Sequence, residues 1–543
     1  MESVVTILLL LLAVILSGSL ARLTRLPLPL VQIALGAVIA LSIVPTVELE
    51  PELFFLLFLP PLLFLDGWRI PKDDLLRDRA TVLELALGLV ILTVVGVGFL
   101  IHWLIPAMPL PVAMALAAVV SPTDPIAVSA IAARAPIPKR MMHILEGESL
   151  LNDASGLVCM RFAVAAMLTG TFSFQEALAT FVWVAFGGVA LGVCVTWGVV
   201  RAKQWVTSYL GEDTSAQILI SLLIPFGAYL LAEHFHCSGI LAAVAAGVTM
   251  GFMEQTGQAL AVTRVRRTAV WDTVQFTANG VIFVLLGEQM PGILAKAGET
   301  VLLTGHSEPW WLAIYVLAIS AALGVLRLVW VWASLRWTLF RAQRRGEKPP
   351  AVNGRLVIGM SLAGVRGAIT LAGVLTLPLT LTDGTAFPGR DLAIFLAAGV
   401  IIVSLVVASA GLPRLLKNLQ LPPEPSRQAE TDRARITAAQ AAIKAIENAQ
   451  HALGEGRPDA DLYTDASSRI MELYRERIDG RLESPEAAAL NRKVEQIERQ
   501  LRVAGLSAER DEIFRMAREH ELDGETARKI VREIDLLEAR YRL

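Results

Sequence analysis

Thirteen apolar stretches fill the first 413 residues, each long enough, or nearly so, to cross a membrane as a helix. A hydrocarbon core about 30 Å thick takes roughly 20 apolar residues in helical form. The stretches cover 4–21, 28–46, 52–67, 80–104, 111–133, 142–169, 176–200, 214–233, 237–254, 271–289, 310–335, 355–379 and 391–413, the third being short. Of the 543 residues only 18% are charged and 55% are hydrophobic, against about 25% charged in soluble domains. The expected class is an all-α polytopic membrane protein with about thirteen transmembrane helices. The opening MESVVTILLLLLAVILSGSLARLTR has no basic leader and no small-residue cleavage site, so it reads as a retained first helix.

Lys and Arg set the orientation. Alternate loops, from Arg22 and Arg25 through Arg264, Arg266 and Arg267 to Arg414 and Lys417, carry 22 of them, and the intervening loops carry Lys296 and Arg390, 2 in all. The basic loops are therefore cytoplasmic, as is the C-terminus, and an odd number of spans puts the N-terminus outside. Compact length and short loops point to a bacterial inner membrane. A net charge of −2 without a basic block gives no support for a nucleic-acid partner. Cys159, Cys194 and Cys237 are too scattered for a disulfide framework or a zinc ribbon.

Three regions follow: a membrane domain over 1–415, a Pro-bearing linker over 416–430, and a helical cytoplasmic tail over 431–543. In the tail, Leu490, Val494, Ile497 and Leu501 recur at helical spacing, as do Ile530, Ile534, Leu537 and Tyr541. A regulatory or self-associating role and a merely solvated appendage both fit that pattern.

A charge at mid-bilayer costs roughly 2.5–3.5 kcal/mol on insertion scales, so each charged interruption of a span needs a reason. The spans hold Asp66, Asp124, Glu146, Glu148, Asp153, Arg161, Arg327 and Arg366, with Asp272 and Glu288 near ends. Arg161 reads as snorkelling or paired, Asp272 as the start of its helix, and Glu146 as interfacial. In GESLLNDASG (147–156), Glu148, Ser149, Asn152 and Asp153 fall at spacings that put them on one side of a helix.

In SPTDPIAVSA (121–130), Pro122 and Pro125 each remove a backbone donor, so the fifth span is expected to break around Asp124. In GMSLAGVRGAITLAG (359–373), Gly364, Gly367 and Gly373 surround Arg366, which marks the twelfth span as interrupted too. Two six-span repeats, 1–6 and 8–13, joined by the seventh span, would make these breaks equivalent in inverted topology. Paired interruptions of that kind point to a transporter site. Helix ends carry partial charges of roughly half an elementary charge. Asp124 beside N-termini and Arg366 beside C-termini would compensate them, a structural role favoured over direct transport.

With LPPLLFLDGW (59–68), SPTDPIA, GESLLNDASG and GVRGAI in this order, the chain resembles the sodium/hydrogen exchangers, the cation:proton antiporters of the bacterial NhaP and animal NHE type. The resemblance covers roughly residues 1–415. It implies two inverted repeats, with spans 4–6 and 11–13 forming a core that moves in elevator fashion against a dimerisation domain. It places the cation and proton on Asp66, Thr123, Ser149 and Asp153, with Asn152–Asp153 as the pair of the electroneutral branch. It also implies that Glu148 pairs with Arg327, that the protein is a homodimer in lipid, and that its cargo is Na⁺ (or K⁺ or Li⁺) against H⁺ with no cofactor.

The residue chemistry agrees. A hard alkali cation wants oxygen ligands, which Asp153, Ser149, Thr123, Asp66 and a freed carbonyl supply. Burial favours the neutral form of a carboxylic acid and a bound cation the ionised form. Cation and proton therefore compete for Asp153, and a carrier that reorients only when Asp153 is occupied is an obligatory antiporter. Asn152 cannot titrate and reads as a positioning residue. The alternatives are a membrane enzyme, for which no nucleophile–base set or HExxH is present, and a passive channel or scaffold, for which no filter repeat is visible. EHFHCS (233–238) is a weak metal candidate, since His234 and His236 are not four apart. His143 has the chemistry of a pH sensor, although an interfacial histidine without a role is the simpler account.

Overall fold

The computed structural model describes residues 2–41, 51–72, 79–132, 139–169, 174–254, 260–295, 301–302, 308–344, 354–381, 384–417, 425–455, 460–482 and 485–542. The chain forms two compact units, Met1–Leu419 and Gln420–Leu543. Regular structure among the described residues is helical, apart from an isolated bridge between Thr380 and Ala386.

In the first unit the order is α1 (Glu2–Thr24), α2 (Leu28–Ala40), α3 (Pro51–Arg69), and a continuous run α4 made of Arg79–Leu83, a π-helical stretch Glu84–Leu89 and Val90–Leu104. Then come α5 (Leu110–Val119), α6 (Pro125–Ala132), α7 (Lys139–Thr169), α8 (Phe174–Leu210), α9 (Thr214–His234), α10 (Gly239–Glu254) and α11 (Ala261–Ala295). The unit ends with α12 (Trp310–Arg344), α13 (Gly354–Leu362), α14 (Ala368–Leu375) and α15 (Arg390–Leu416). Within the described residues each apolar stretch of the sequence falls on one helix or on one broken pair, residues 42–46 of the second lying outside them. Among the described residues eight helices are long and apolar enough to cross a membrane, and Leu28–Ala40, Leu110–Val119 and Gly239–Glu254 are shorter apolar helices.

The outer surface of this unit is apolar in a way no soluble protein tolerates. Along α4, Ile91, Val95, Phe99 and Trp103 form an exposed stripe, Trp103 being 75% exposed. With eight helices among the described residues long and apolar enough to cross a membrane, such stripes face lipid. The chain is thus a multi-pass membrane protein.

Where lipid tails are as apolar as the helices, close backbone packing drives association. Gly36 of α2 faces the Val284 carbonyl of α11, and Gly287 of α11 faces the Ile33 carbonyl of α2. Gly67 of α3 and Gly247 of α10 meet the Val244 and Phe64 carbonyls in the same reciprocal way. A Cβ at any of these four would collide with backbone, so α3 and the acid it carries are held rigidly against α10.

Several helices outrun the apolar stretches. The tenth stretch was expected to start at 271, with Asp272 at its helix start and Arg264, Arg266 and Arg267 in a loop. Instead α11 begins at Ala261; Asp272 lies well inside it, exposed and paired with Arg69, and Arg267 is buried. Arg is a good helix former, so a helix has no reason to stop where the hydrocarbon does.

The second unit contains α16 (Pro425–Gly454), α17 (Ala460–Leu482), α18 (Pro485–Arg518) and α19 (Gly524–Arg542). Helix α16 therefore starts inside the stretch read as a linker. It packs on α17, and α18 packs on α19. Asp523 caps α19, accepting from the N–H groups of Glu525 at 2.8 Å and Thr526 at 3.1 Å. Ile534 is buried, but Leu490, Val494, Ile497 and Leu501 are all exposed. Helix α19 is 19 residues against 34 for α18, and it ends opposite Arg502, which donates to Tyr541 Oη at 2.8 Å. The first half of α18 extends beyond that contact.

Candidate functional site

Both expected breaks are present, and they touch. Helix α5 ends at Val119 and α6 begins at Pro125, whose missing N–H is no loss in a first turn. Helix α13 ends at Leu362 and α14 begins at Ala368. The Asp124 N–H donates to the Val365 carbonyl at 2.7 Å, which joins the two interruptions.

Charges fill the crossing in a complementary pattern. Arg366 donates through Nε to the Val120 carbonyl at 2.8 Å and through Nη1 to the Gly364 carbonyl. These are carbonyls left open just beyond α5 and α13. Its backbone N–H donates to Ser404 Oγ of α15 at 3.1 Å. Asp124 Oδ1 accepts from the Ala127 N–H in the first turn of α6 at 3.3 Å, and its side chain lies against Gly367, the N-cap of α14. Any side chain at 367 would displace this carboxylate. The acid thus faces two N-termini and the guanidinium two C-termini.

GESLLNDASG lies in α7, and Glu148, Ser149, Asn152, Asp153 and Ser155 are all buried. Glu148 forms a bidentate pair with Arg327 of α12, one arm through Nη1 and the other through Nη2 at 2.8 Å. Arg327 Nε also donates to the Met360 carbonyl at 3.1 Å, binding the pair to the last turns of α13. Thr123 Oγ1 donates to Glu148 at 3.4 Å and accepts from Asn152 Nδ2 at 3.1 Å. Ser155 Oγ donates to the Ala86 carbonyl in the π-helical stretch at 2.6 Å. Gly156 lies against Pro122, where a Cβ would come 2.7 Å from the proline ring. The motif's small residues thus let α7 press against the break.

Beside the crossing is a cavity of about 30 Å³, room for one ion or water. Asp153 and Ser149 of α7, Thr123 and Asp124 of the break, and Asp66 of α3 line it. The carboxylate of Asp153 makes no hydrogen bond or ion pair with the described residues, although it is 3% exposed. Arg161 and Arg366 do not pair with it: Arg161 binds Glu233 at 3.0 Å and Arg366 binds carbonyls. Asn152 is absent from the lining and sits one bond behind, on Thr123, with its Oδ1 lacking a partner.

Asn279 of α11 and Thr370 of α14 also line the cavity, and the sequence reading passed over both. A search for charged interruptions misses them. A search for any polar side chain in an apolar run would have found Asn279 within TANGVIFVLL. Glu233 belongs to Arg161 and to the Gly239 N–H, and no group of metal-ligating side chains occurs among the described residues. His143 is 3.5 Å from Glu146.

A helical membrane protein with two interrupted helices crossing beside a buried, unpaired carboxylate has the architecture of an ion-coupled carrier. The family described as "Sodium/hydrogen exchanger, transmembrane" matches residues 7–418, and the chain belongs to this family of secondary transporters. It is 42% identical over 99% of both chains to an Escherichia coli protein described as an uncharacterized Na⁺/H⁺ exchanger, YjcE. It is 37% identical, over 95% of this chain and 74% of the relative, to a sodium, potassium, lithium and rubidium/H⁺ antiporter of Bacillus pumilus. Among solved structures, the sodium proton antiporter MjNhaP1 of Methanocaldococcus jannaschii aligns with a TM-score of 0.57. That match has 18% identity and covers 77% of this chain and 99% of that one, a likeness of fold.

Proposed function

We propose that this protein exchanges an alkali cation for protons across the membrane, with both cargoes competing for Asp153. The observation that carries this reading is the buried carboxylate without a partner among the described residues, facing a cavity of one-ion size. An ionised carboxylate there is unstable unless a cation joins it, and a proton satisfies it equally well. Ser149, one turn before Asp153, Thr123 and Asp66 supply the remaining oxygens. Asn152 holds Thr123 in place. Glu148 with Arg327, and Arg366 on the carbonyls of the broken helices, fix the elements around the cavity, and Asp124 at its wall serves the helix N-termini.

One exchangeable carboxylate gives one proton per monovalent cation, so the exchange is electroneutral. Relatives named for sodium, potassium, lithium and rubidium support a broad alkali range. Asp153, Thr123 and Thr370 lie on spans 6, 5 and 12, the moving core of the expected inverted-repeat elevator. Asp66 and Asn279 lie on spans 3 and 10, its stationary partner. A cavity lined from both sides is where such a motion would expose cargo first to one face and then to the other. Membrane domain 1–415, linker 416–430 and regulatory tail 431–543, homodimerisation, an external N-terminus and a cytoplasmic C-terminus in a cell membrane complete the proposal.

The test is cation-induced proton movement in inside-out vesicles from a host lacking its own antiporters, comparing wild type with Asp153→Asn. Addition of NaCl, KCl or LiCl should collapse the pH gradient with wild type and leave it intact with a normally inserted mutant. A mutant that matches wild type removes Asp153 from the mechanism. Flux that carries current removes electroneutrality.

A further inference from the structure

Away from the crossing, the ends of α8, α9, α10 and α11 enclose a second cavity of about 330 Å³, on the side bearing the Lys- and Arg-rich loops. It has over ten times the roughly 30 Å³ that a water occupies in the liquid. Three cations line it: Lys203 of α8, and Arg264 and Arg267 of α11. Glu254 of α10 is the one acid in the lining. Glu212, in the turn before α9, is engaged by Thr263 Oγ1 at 2.6 Å and by the Leu260 N–H. Asp213 beside it caps α9.

Arg267 is the anchor. It is 1% exposed, pairs with Glu254, and stacks over Trp68 at 5.2 Å, yet its Nε–H has no acceptor among the described residues. Leaving a buried donor without an acceptor is costly, and more so when the group is charged. Lys203 Nζ donates to Gln217 Oε1 at 3.1 Å and presents further N–H groups. Thr207 and Ser208 add hydroxyls, and Met250 and Met253 add an apolar wall. Such a cavity offers several donors to one multi-oxygen anion, with three cationic side chains in its described lining and apolar contact beside them. Guanidinium and ammonium groups bind phosphate oxygens strongly, and basic pockets between membrane helices on this side suit lipid headgroups.

We propose that this cavity binds a phosphate-bearing anion, with the phosphate on Lys203, Arg264 and Arg267 and the rest of the molecule against Met250 and Met253. The source is either the headgroup of an anionic phospholipid or free phosphate. Trp68, which carries the Arg267 stack, lies two residues beyond Asp66 on α3, so the occupant also braces the helix that lines the ion cavity.

The test uses the full-length protein in neutral detergent and reads its thermal midpoint against added phosphatidylglycerol, phosphatidylcholine of the same chains, or sodium phosphate at matched ionic strength. Phosphatidylglycerol should raise the wild-type midpoint and phosphatidylcholine should not. Lys203→Gln/Arg264→Gln should raise the half-saturating concentration at least tenfold, whereas Lys203→Arg/Arg264→Lys should leave it within threefold. A phosphate-dependent rise lost in the Gln variant, without a lipid effect, also supports the site and makes its ligand soluble. The proposal falls if neither anion moves the wild-type midpoint, or if the Gln variant responds as wild type does. Should the Gln variant not fold, Met253→Trp, which fills the cavity and keeps its charges, must abolish the same rise.

Discussion

Glu148→Gln isolates the energetic role of the pair behind the ion cavity. Glu148 is 1% exposed and Arg327 is 2% exposed, and together they make a bidentate contact. Glutamine keeps the shape but leaves a guanidinium that cannot shed its proton, with only the Met360 carbonyl and a neutral amide to answer it. Removing one partner of a buried pair costs about 3–5 kcal/mol. With an unfolding entropy of roughly 2.1 cal/mol/K per residue, spread over the unit Met1–Leu419, that cost lowers the thermal midpoint by roughly 3–6 °C. Membrane helices that stay formed on unfolding reduce the entropy and enlarge the shift. Arg327→Met should cost less, because the stranded carboxyl can take up a proton. The double replacement Glu148→Met/Arg327→Met should lie above Glu148→Gln, since a buried pair exchanged for apolar side chains is often neutral or stabilising. Detergent-solubilised protein, heated and counted by size-exclusion chromatography, gives all four midpoints. A Glu148→Gln midpoint within 1 °C of wild type, or a double variant below it, would refute the reasoning.

Four further outcomes are expected. Gly156→Leu forces atoms into Pro122 and the Ala118 carbonyl, 2.7 and 2.9 Å from even a Cβ; cation-dependent proton flux should fall at least tenfold while Gly156→Ala retains more of it. Asn152→Ala removes the donor that holds Thr123, so the cation concentration at half-maximal flux should rise several-fold with the maximal rate less affected. Asn279→Ala should shift the relative rates with Na⁺, K⁺ and Li⁺, because the cavity loses an amide; unchanged ratios would remove Asn279 from cargo contact. In the tail, the Thr526 side chain and the N–H groups of Thr526 and Glu525 hold the Asp523 carboxyl below its ordinary value. A lowered value means the stabilisation is present above the unfolded pKa of about 3.9 and is lost as pH falls through the folded one. Amide exchange over 524–530 in the full chain should therefore match at pH 7 and pH 5 after correction for intrinsic rate, and rise in Asp523→Ala.

The parts legible in the sequence are those that hydrocarbon makes expensive. Asp124 between two prolines and Arg366 among glycines stood out because charge and broken helix both need an explanation inside a bilayer. The structure supplies it in one place, with Arg366 on the Val120 and Gly364 carbonyls. What escaped was cheap or distant. Asn279 and Thr370 carry no charge and sit in runs whose periodicity they do not disturb. The partnership of Arg161 with Glu233 spans 72 positions, and only the packed bundle brings them to 3.0 Å. Arg267 was read as a loop cation because local hydropathy ends there, whereas its burial depends on Glu254 and Trp68 from two other helices. In the tail, helical spacing identified α18 and α19 but not which stretch of α18 lies beyond the end of α19.

The distribution of counter-charges leaves Asp153 and Asp66 as the cavity acids without a charged partner among the described residues. Glu148 has Arg327, Asp124 has two helix N-termini, Arg161 has Glu233, and Arg69 has Asp272. Had Arg366 turned toward Asp153, the site would be permanently neutral and no cation would be needed there. Its guanidinium is instead held by carbonyls at the broken helix ends, and its backbone N–H by Ser404. The crossing is thus neutralised without Asp153, which has no counter-charge among the described residues. In the proposed cycle its partner is an alkali cation or a proton. Arg366→Gln should then loosen the crossing, because it leaves the Val120 and Gly364 carbonyls short of a charged donor, and flux should fall even at saturating cation. Recovery of wild-type flux by raising the cation concentration alone would show that Arg366 acts on binding and not on the crossing.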